Sequence, residues 1–264
     1  MVGWLQARRR RRILAQQVPE AWDRYIDDNV ALARRLDPQG RRRLGDLVQI
    51  FIAEKHWEGC GGLELTEEIQ VTIAAQACLL AIGRDDSLYT DARSILVYPS
   101  TLITPPRPLG FFEQPRTPVG HGSTVIGEAM LGGPVVLAWD AVLAGGRAEI
   151  PGNVVLHEFA HKLDMETGQI NGTPPLANKA ARKRWARVCS AAYLRHRDSV
   201  EHGWPTLMDA YGATNEAEFF AVATETFFTR PNELWYEYPD VFALLADFYR
   251  VVPGAASASP AEVT

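Results

Sequence analysis

The strongest constraint on this chain is the stretch "NVVLHEFAHKLDM", residues 153–165, which contains His157-Glu158-x-x-His161. In a helix, residues four apart lie one turn apart on the same face. Both imidazoles can then reach a single metal ion at about 2.0–2.1 Å. Glu158 is offset by one position. It is poorly placed to ligate but well placed to reach a water at the metal, which is where metal-assisted hydrolysis needs a general base. Asn153 supplies an N-cap, and Leu156, Phe159, Ala160 and Leu163 make the non-ligand positions apolar, as a buried zinc helix requires. Two histidines do not complete a site. A structural zinc takes four protein ligands, so this motif points to an open, catalytic site whose third ligand lies elsewhere in the chain.

His121, His196 and His202 have no partner motif around them, and the last two fall in the polar stretch "RHRDSVEHGW", which reads as exposed. An HExxHxxGxxH arrangement is excluded, because residues 164 and 167 are Asp and Thr. A downstream carboxylate remains, and "YGATNEAEFFAVATETFFTRP" (211–231) holds three. The pattern predicts a helix from Thr214 or Asn215 to just before Pro231. Glu216 falls in its first turn, where a carboxylate commonly offsets the helix dipole in solvent. Glu218 and Glu225, seven apart, share a face among Phe219, Phe220, Phe227 and Phe228. A carboxylate there is costly unless paired or bound to a cation. Asn215-x-x-Glu218 also fits a capping box. With a histidine pair lacking a ligand, Glu218 is the expected third ligand.

Around this motif the chain divides by texture. Residues 1–18 carry the run Arg8–Arg12 and read as a solvated, frayed basic tail, with contact to nucleic acid or acidic lipid as the alternative. Residues 19–83 have helical spacing throughout, including "PQGRRRLGDLVQIFIAEKHWEG", and read as a helical region with a core of its own. Residues 84–252 mix strands with the two motif helices, and the small, polar residues 253–264 read as disordered. "SILVYPSTLI" (94–103) predicts a strand, 104–123 a long surface loop, and "STVIGEAMLGGPVVLAWDAVL" a strand pair turning at Gly132-Gly133. Val135–Trp139 is the expected strand just before the motif helix. The fold class is α+β and mostly helical.

A net charge of −5, and basic runs (Arg8–Arg12, Arg41–Arg43) without interleaved aromatics, argue against a nucleic-acid partner. No apolar run suggests a signal peptide or a membrane span, so no membrane partner is expected. Cys60, Cys78 and Cys189 form no CxxC pair and point to a reducing, cytoplasmic setting.

Taken together, "FIAEKHWEGCGGLELTEEIQVTIAAQACLL", "ILVYPS", "GEAMLGGPVVLAWDAV", "NVVLHEFAHKLDM" and "DAYGATNEAEFFAVATETFF" resemble the Mlc titration factor A family of bacterial zinc metallopeptidases, over roughly residues 20–250. That family is similar, around the metal, to the catalytic domain of anthrax lethal factor. The resemblance implies a zincin-like core binding one Zn2+ through His157, His161 and Glu218, with Glu158 as general base and acid. It implies that Tyr211, seven residues before Glu218, faces the metal and stabilises an oxyanion. Asp164 and Glu225 are candidates to hold the ligating histidines from behind; which histidine Asp164 would serve is open. The strand "GGPVVLAW" resembles the edge strand beside the zinc helix, to which an extended peptide adds as a further strand; an internal core strand is the alternative. Peptidase activity on peptide or protein substrates is implied, including aminopeptidase activity. So is regulation of glucose uptake through the repressor Mlc. A non-enzymatic regulator that sequesters a repressor, with zinc mainly structural, is the competing reading.

Overall fold

The computed structural model describes residues 2–84, 89–90, 92–100, 102–103, 124–125, 127–129, 133–148 and 152–253. The expected 104–123 loop, His121 and the 254–264 tail lie outside the described residues. Four helices come first: α1 (Val2–Leu14), α2 (Ala21–Asn29), α3 (Pro38–Glu54) and α4 (Glu67–Leu79), with a 3-10 turn at Ala31–Arg35 after α2 and strand β1 (His56–Gly59) between α3 and α4. Then follow β2 (Ser94–Tyr98), β3 (Leu102–Ile103), β4 (Thr124–Val125), β5 (Gly127–Ala129) and β6 (Val135–Ala138). The rest is helical: α5 (Trp139–Arg147), α6 (Val154–Met165), α7 (Lys179–Glu201), α8 (Glu216–Thr229), α9 (Pro231–Glu237) and α10 (Pro239–Tyr249), with a 3-10 turn at Ala210–Ala213.

Helix starts follow from local chemistry. Asp37 accepts the Gly40 N–H with Pro38 at the first helical position, and Thr66 accepts the Ile69 N–H to begin α4. The main sheet has the order β1-β2-β6-β5, the first three strands parallel and β5 antiparallel at one edge. A parallel pair needs a crossover, and α4 supplies it between β1 and β2.

Three expectations are corrected here. His56–Gly59, read as the end of a helix, is a strand: α3 stops at Glu54, and β1 pairs with β2 from His56↔Ser94 to Gly59↔Val97. Tertiary pairing overrides a local pattern this short. The early helices therefore share one core with the rest. A single apolar cluster runs from Ile13 to Tyr249, and Phe51 of α3 meets Phe159 of α6 edge-on at 5.6 Å between ring centres. The basic run is likewise no frayed tail. It is helical, with Ile13 buried against α3 and Arg10 bonded to Glu54 through Nε and Nη2, at 2.9 and 2.7 Å.

Candidate metal centre

Helix α6 is held at its N-terminus by one residue that faces two ways. Asn153 Oδ1 accepts the Leu156 N–H at 2.9 Å, while its Nδ2 donates to Gln76 Oε1 at 2.8 Å and to the Gly145 carbonyl at 3.1 Å. Val155, Leu156, Phe159, Ala160 and Leu163 are buried in the core, which turns His157 and His161 together toward α8. That helix is capped in the same way. Asn215 Oδ1 accepts from Ala217 and Glu218, each at 3.0 Å, so Glu218 stands in the first turn with its carboxylate free to face the histidines. The capping box is therefore one-sided: Asn215 caps, and Glu218 does not reciprocate. Glu216 is exposed, as expected.

Three donor atoms converge between α6 and α8. His157 Nε2 lies 3.0 Å from Glu218 Oε2, His161 Nε2 lies 3.2 Å from the same oxygen, and the two Nε2 atoms are 3.1 Å apart. Two imidazole nitrogens facing each other at that distance repel unless a proton or a cation lies between them. Tetrahedral ligation at about 2.05 Å sets ligand atoms about 3.3 Å apart, and all three separations are within a few tenths of an ångström of that. The two-His, one-Glu donor set fits a metal ion. Among the described residues, His157, His161 and Glu218 form the one such group.

The same contacts shift the titration of the groups that make them. Burial alone would lower the His157 pKa, but hydrogen bonds to Glu218 and Glu225 override it and raise the value to about 10. Burial raises Glu218, yet the two histidines outweigh it and hold the carboxyl at about 2. In the metal-free chain the histidines and carboxylates thus stabilise one another's charged forms.

Glu225, one of the two candidates to brace a histidine, lies against His157. Its Oε1 lies 2.7 Å from His157 Nδ1, and its Oε2 accepts the Gly152 N–H at 2.9 Å. A proton on Nδ1 leaves the Nε2 lone pair aimed into the centre. Asp164, the other candidate, has a different task. It is fully buried, and its two oxygens accept the backbone N–H groups of Gly172 and Thr173, each at 2.7 Å. It pins the loop after α6 against the start of α8. At Gly172 (φ 71°) a Cβ would lie 2.2 Å from the Glu216 carbonyl, so only glycine fits there. The reason it misses the histidines is simple: Asp164 shares their side of the helix but lies beyond them along the axis.

Glu158 is buried, and its Oε2 has no hydrogen-bond partner. Burial raises its pKa and Glu218 adds to the rise, against the opposing pull of His157, His161 and Lys162. Tyr211 sits in the 3-10 turn at Ala210–Ala213, its ring centre 6.0 Å from that of His157, with more than half its surface exposed. Burial of its inner part, with Glu218 and Glu158 nearby, raises the phenol pKa.

Two supports were not legible in the sequence. His196, expected to be exposed, is fully buried and donates from Nε2 to the Asp209 carbonyl at 3.0 Å. Asp209 in turn accepts the Tyr211 N–H at 2.8 Å, so α7 braces the turn that carries the tyrosine. The signal available was the helical period of α7, which places His196 beside the buried Ala192 and Tyr193. Lys162, 1% exposed, donates to the Gly133 carbonyl at 2.9 Å and ties α6 to the hairpin of β5 and β6. The expected edge strand also changes place. Val135–Ala138 is internal, paired on both sides, and β5 is the edge. Trp139 opens α5, which separates β6 from α6.

Over residues 4–250 the chain matches the family described as glucose-regulated metallo-peptidase M90. It is 34% identical over 254 residues to the uncharacterized protein slr2042 of Synechocystis, covering 95% of this chain and 90% of that one. It is 29% identical to Mlc titration factor A of Klebsiella pneumoniae (85% of this chain, 84% of that one) and 30% identical to Mlc titration factor A of Yersinia pestis (85% and 83%).

Proposed function

The chain belongs to the glucose-regulated metallo-peptidase M90 family, and from that premise we propose that it is a zinc-dependent peptidase that hydrolyses peptide bonds. The observation that carries the reading is the convergence of His157 Nε2, His161 Nε2 and Glu218 Oε2, on the helix that also carries a buried, unpartnered Glu158 carboxylate oxygen. His157, His161 and Glu218 would hold the ion. When bound, zinc supplies Lewis-acid chemistry, lowering the pKa of a water and polarising a carbonyl.

The chain's own residues do the rest. Glu158, with its pKa raised toward the working range, accepts a proton from the attacking water at its free oxygen and passes it to the leaving amine. Tyr211, on a turn braced by α7, donates its O–H to the oxyanion that develops on the substrate carbonyl. Glu225 holds His157 in one tautomer. The antiparallel edge β5 offers backbone groups for an extended peptide to pair with, which favours peptides over compact substrates. An aminopeptidase preference is the finer form of this proposal.

Replacing Glu158 with Gln tests it. Peptide hydrolysis should fall by about 10²–10⁴-fold, the typical worth of a general base, while zinc per chain stays at one. A variant that cleaves at the wild-type rate would remove Glu158 from the mechanism.

A second reading rests on the relatives' name. Proteins called Mlc titration factor A are 29–30% identical to this chain, which favours a regulatory role in sugar uptake through binding of an Mlc-like transcriptional repressor. In its strongest form the chain is a non-enzymatic regulator and zinc is structural. Wild-type protein that is fully zinc-loaded, cleaves no peptide and captures such a repressor would decide for it.

A further inference from the structure

We propose that α1 docks the protein peripherally onto an anionic lipid surface. The helix is anchored, not loose. Gln49 Nε2 donates to the Ile13 carbonyl at 2.8 Å, Ile13 is buried, and Arg10 is committed to Glu54. These contacts fix which side of the helix faces outward. On that side Trp4 and Leu5 are 61% and 60% exposed, and Arg8, Arg11 and Arg12 are exposed with them. Helical spacing sets Arg8, Arg11 and Arg12 on the side of Trp4, and the Arg8 guanidinium lies 5.6 Å from the Trp4 ring centre.

Charge complementarity selects the partner. Five of the chain's 27 basic residues and none of its 32 acidic residues lie in α1, so the remainder carries a formal net charge of −10. An anionic surface attracts this helix and repels the body, which orients the molecule with α1 inward. Two large apolar side chains exposed at one end of an arginine-rich helix match the lipid interface. Trp and Leu settle at headgroup depth while guanidinium groups pair with lipid phosphates. A nucleic acid would use the arginines but has no use for an exposed Leu5, and a single tryptophan gives it one stacking site. Among the described residues no helix is long and apolar enough to cross a membrane, so the attachment is to the surface.

The experiment is co-sedimentation of the full-length, zinc-loaded chain with vesicles of phosphatidylcholine alone or of phosphatidylcholine containing phosphatidylglycerol. Binding is expected to the anionic vesicles only and to weaken in high salt. Each arginine near such a surface contributes about fivefold in partitioning, so Arg11→Gln with Arg12→Gln should reduce it about 25-fold. Trp4→Ala with Leu5→Ala should reduce it at least about fivefold. Arg10 is left intact, and unchanged circular dichroism and zinc content confirm that the variants are folded. Equal binding to both vesicle types, or undiminished binding by the Trp4/Leu5 variant, would overturn the proposal. So would tight binding of a single-stranded RNA oligonucleotide together with no vesicle binding, which would reassign the helix to nucleic acid.

Discussion

Glu225→Gln isolates the support behind the metal centre. The carboxylate receives two donors, His157 Nδ1–H at 2.7 Å and the Gly152 N–H at 2.9 Å. Glutamine keeps the size but offers one acceptor and one NH₂ group. If its oxygen stays on His157, the amide nitrogen faces the Gly152 N–H, donor against donor, and the hydrogen bond lost there is worth about 0.5–1.5 kcal/mol. If the amide turns over, His157 must move its proton to Nε2, which closes the lone pair that a metal requires. Both arrangements also lose the negative charge that makes the imidazole a better donor. Supports of this kind are typically worth about 10–100-fold in metal affinity, or about 1.4–2.7 kcal/mol. The assay is zinc competition against a chromophoric chelator at neutral pH, with thermal unfolding of the metal-stripped protein as a control for global destabilisation. Zinc affinity within about twofold of wild type would refute the claim that Glu225 sets the His157 tautomer, whatever happened to stability.

Tyr211→Phe removes only the hydroxyl of a side chain that is 55% exposed, so stability should stay within about 0.5 kcal/mol while peptide hydrolysis falls about 10²–10³-fold with zinc retained; an unchanged kcat would remove the phenol from the reaction. Asn153→Ala loses the α6 cap, worth about 1–2 kcal/mol, and strands Gln76 Oε1, so a loss of about 2–4 kcal/mol is expected in denaturant unfolding. A loss below about 1 kcal/mol would show that the cap carries no network. In metal-stripped protein, His157 is raised from 6.5 to about 10, so the stability from its carboxylate pairs is whole below pH 6.5 and is lost as pH rises through 10. Glu218, lowered from 4.5 to about 2, contributes stability above pH 4.5 that is lost as pH falls through 2. The stripped protein should therefore show a plateau in Tm from pH 4.5 to 6.5 and a decline toward 10; a flat profile would contradict the pairing. Zinc uptake at neutral pH should release about one proton from His157, readable by calorimetry in buffers of different ionisation enthalpy.

What could be read from the sequence tracks how local the determining physics is. Helical period and capping residues placed His157 and His161 on one face, and Glu218 with Glu225 on one face of a second helix. Those faces do meet, because large apolar residues on the two helices leave few other ways to pack. Contacts set by the third dimension were not legible. His56–Gly59 becomes a strand only because β2 lies beside it. Val135–Ala138 is internal because β5 covers its outer edge. Asp164 and the histidines share a helix side, but axial offset sends the carboxylate to Gly172 and Thr173. His196 looked polar by its neighbours in sequence, whereas burial follows its neighbours in space.

The first half of the chain is part of the scaffold of the candidate metal centre. Arg147 donates twice to Asn29 Oδ1, at 3.0 and 2.8 Å, and Asn29 Nδ2 donates to Glu68 and Thr72 on α4. One turn further along α4, Gln76 donates to the Val142 carbonyl of α5 and accepts from Asn153, the cap of α6. Apolar packing alone tolerates small slides between helices, since any well-filled arrangement scores alike. Hydrogen bonds between buried groups do not, because a displaced partner is left unsatisfied. A metal site needs its donors within about 0.2 Å. A polar chain running from α2 through α4 and α5 to the first turn of α6 specifies the axial position and rotation of the helix that carries both histidines, to a tolerance that the surrounding core could not impose by itself.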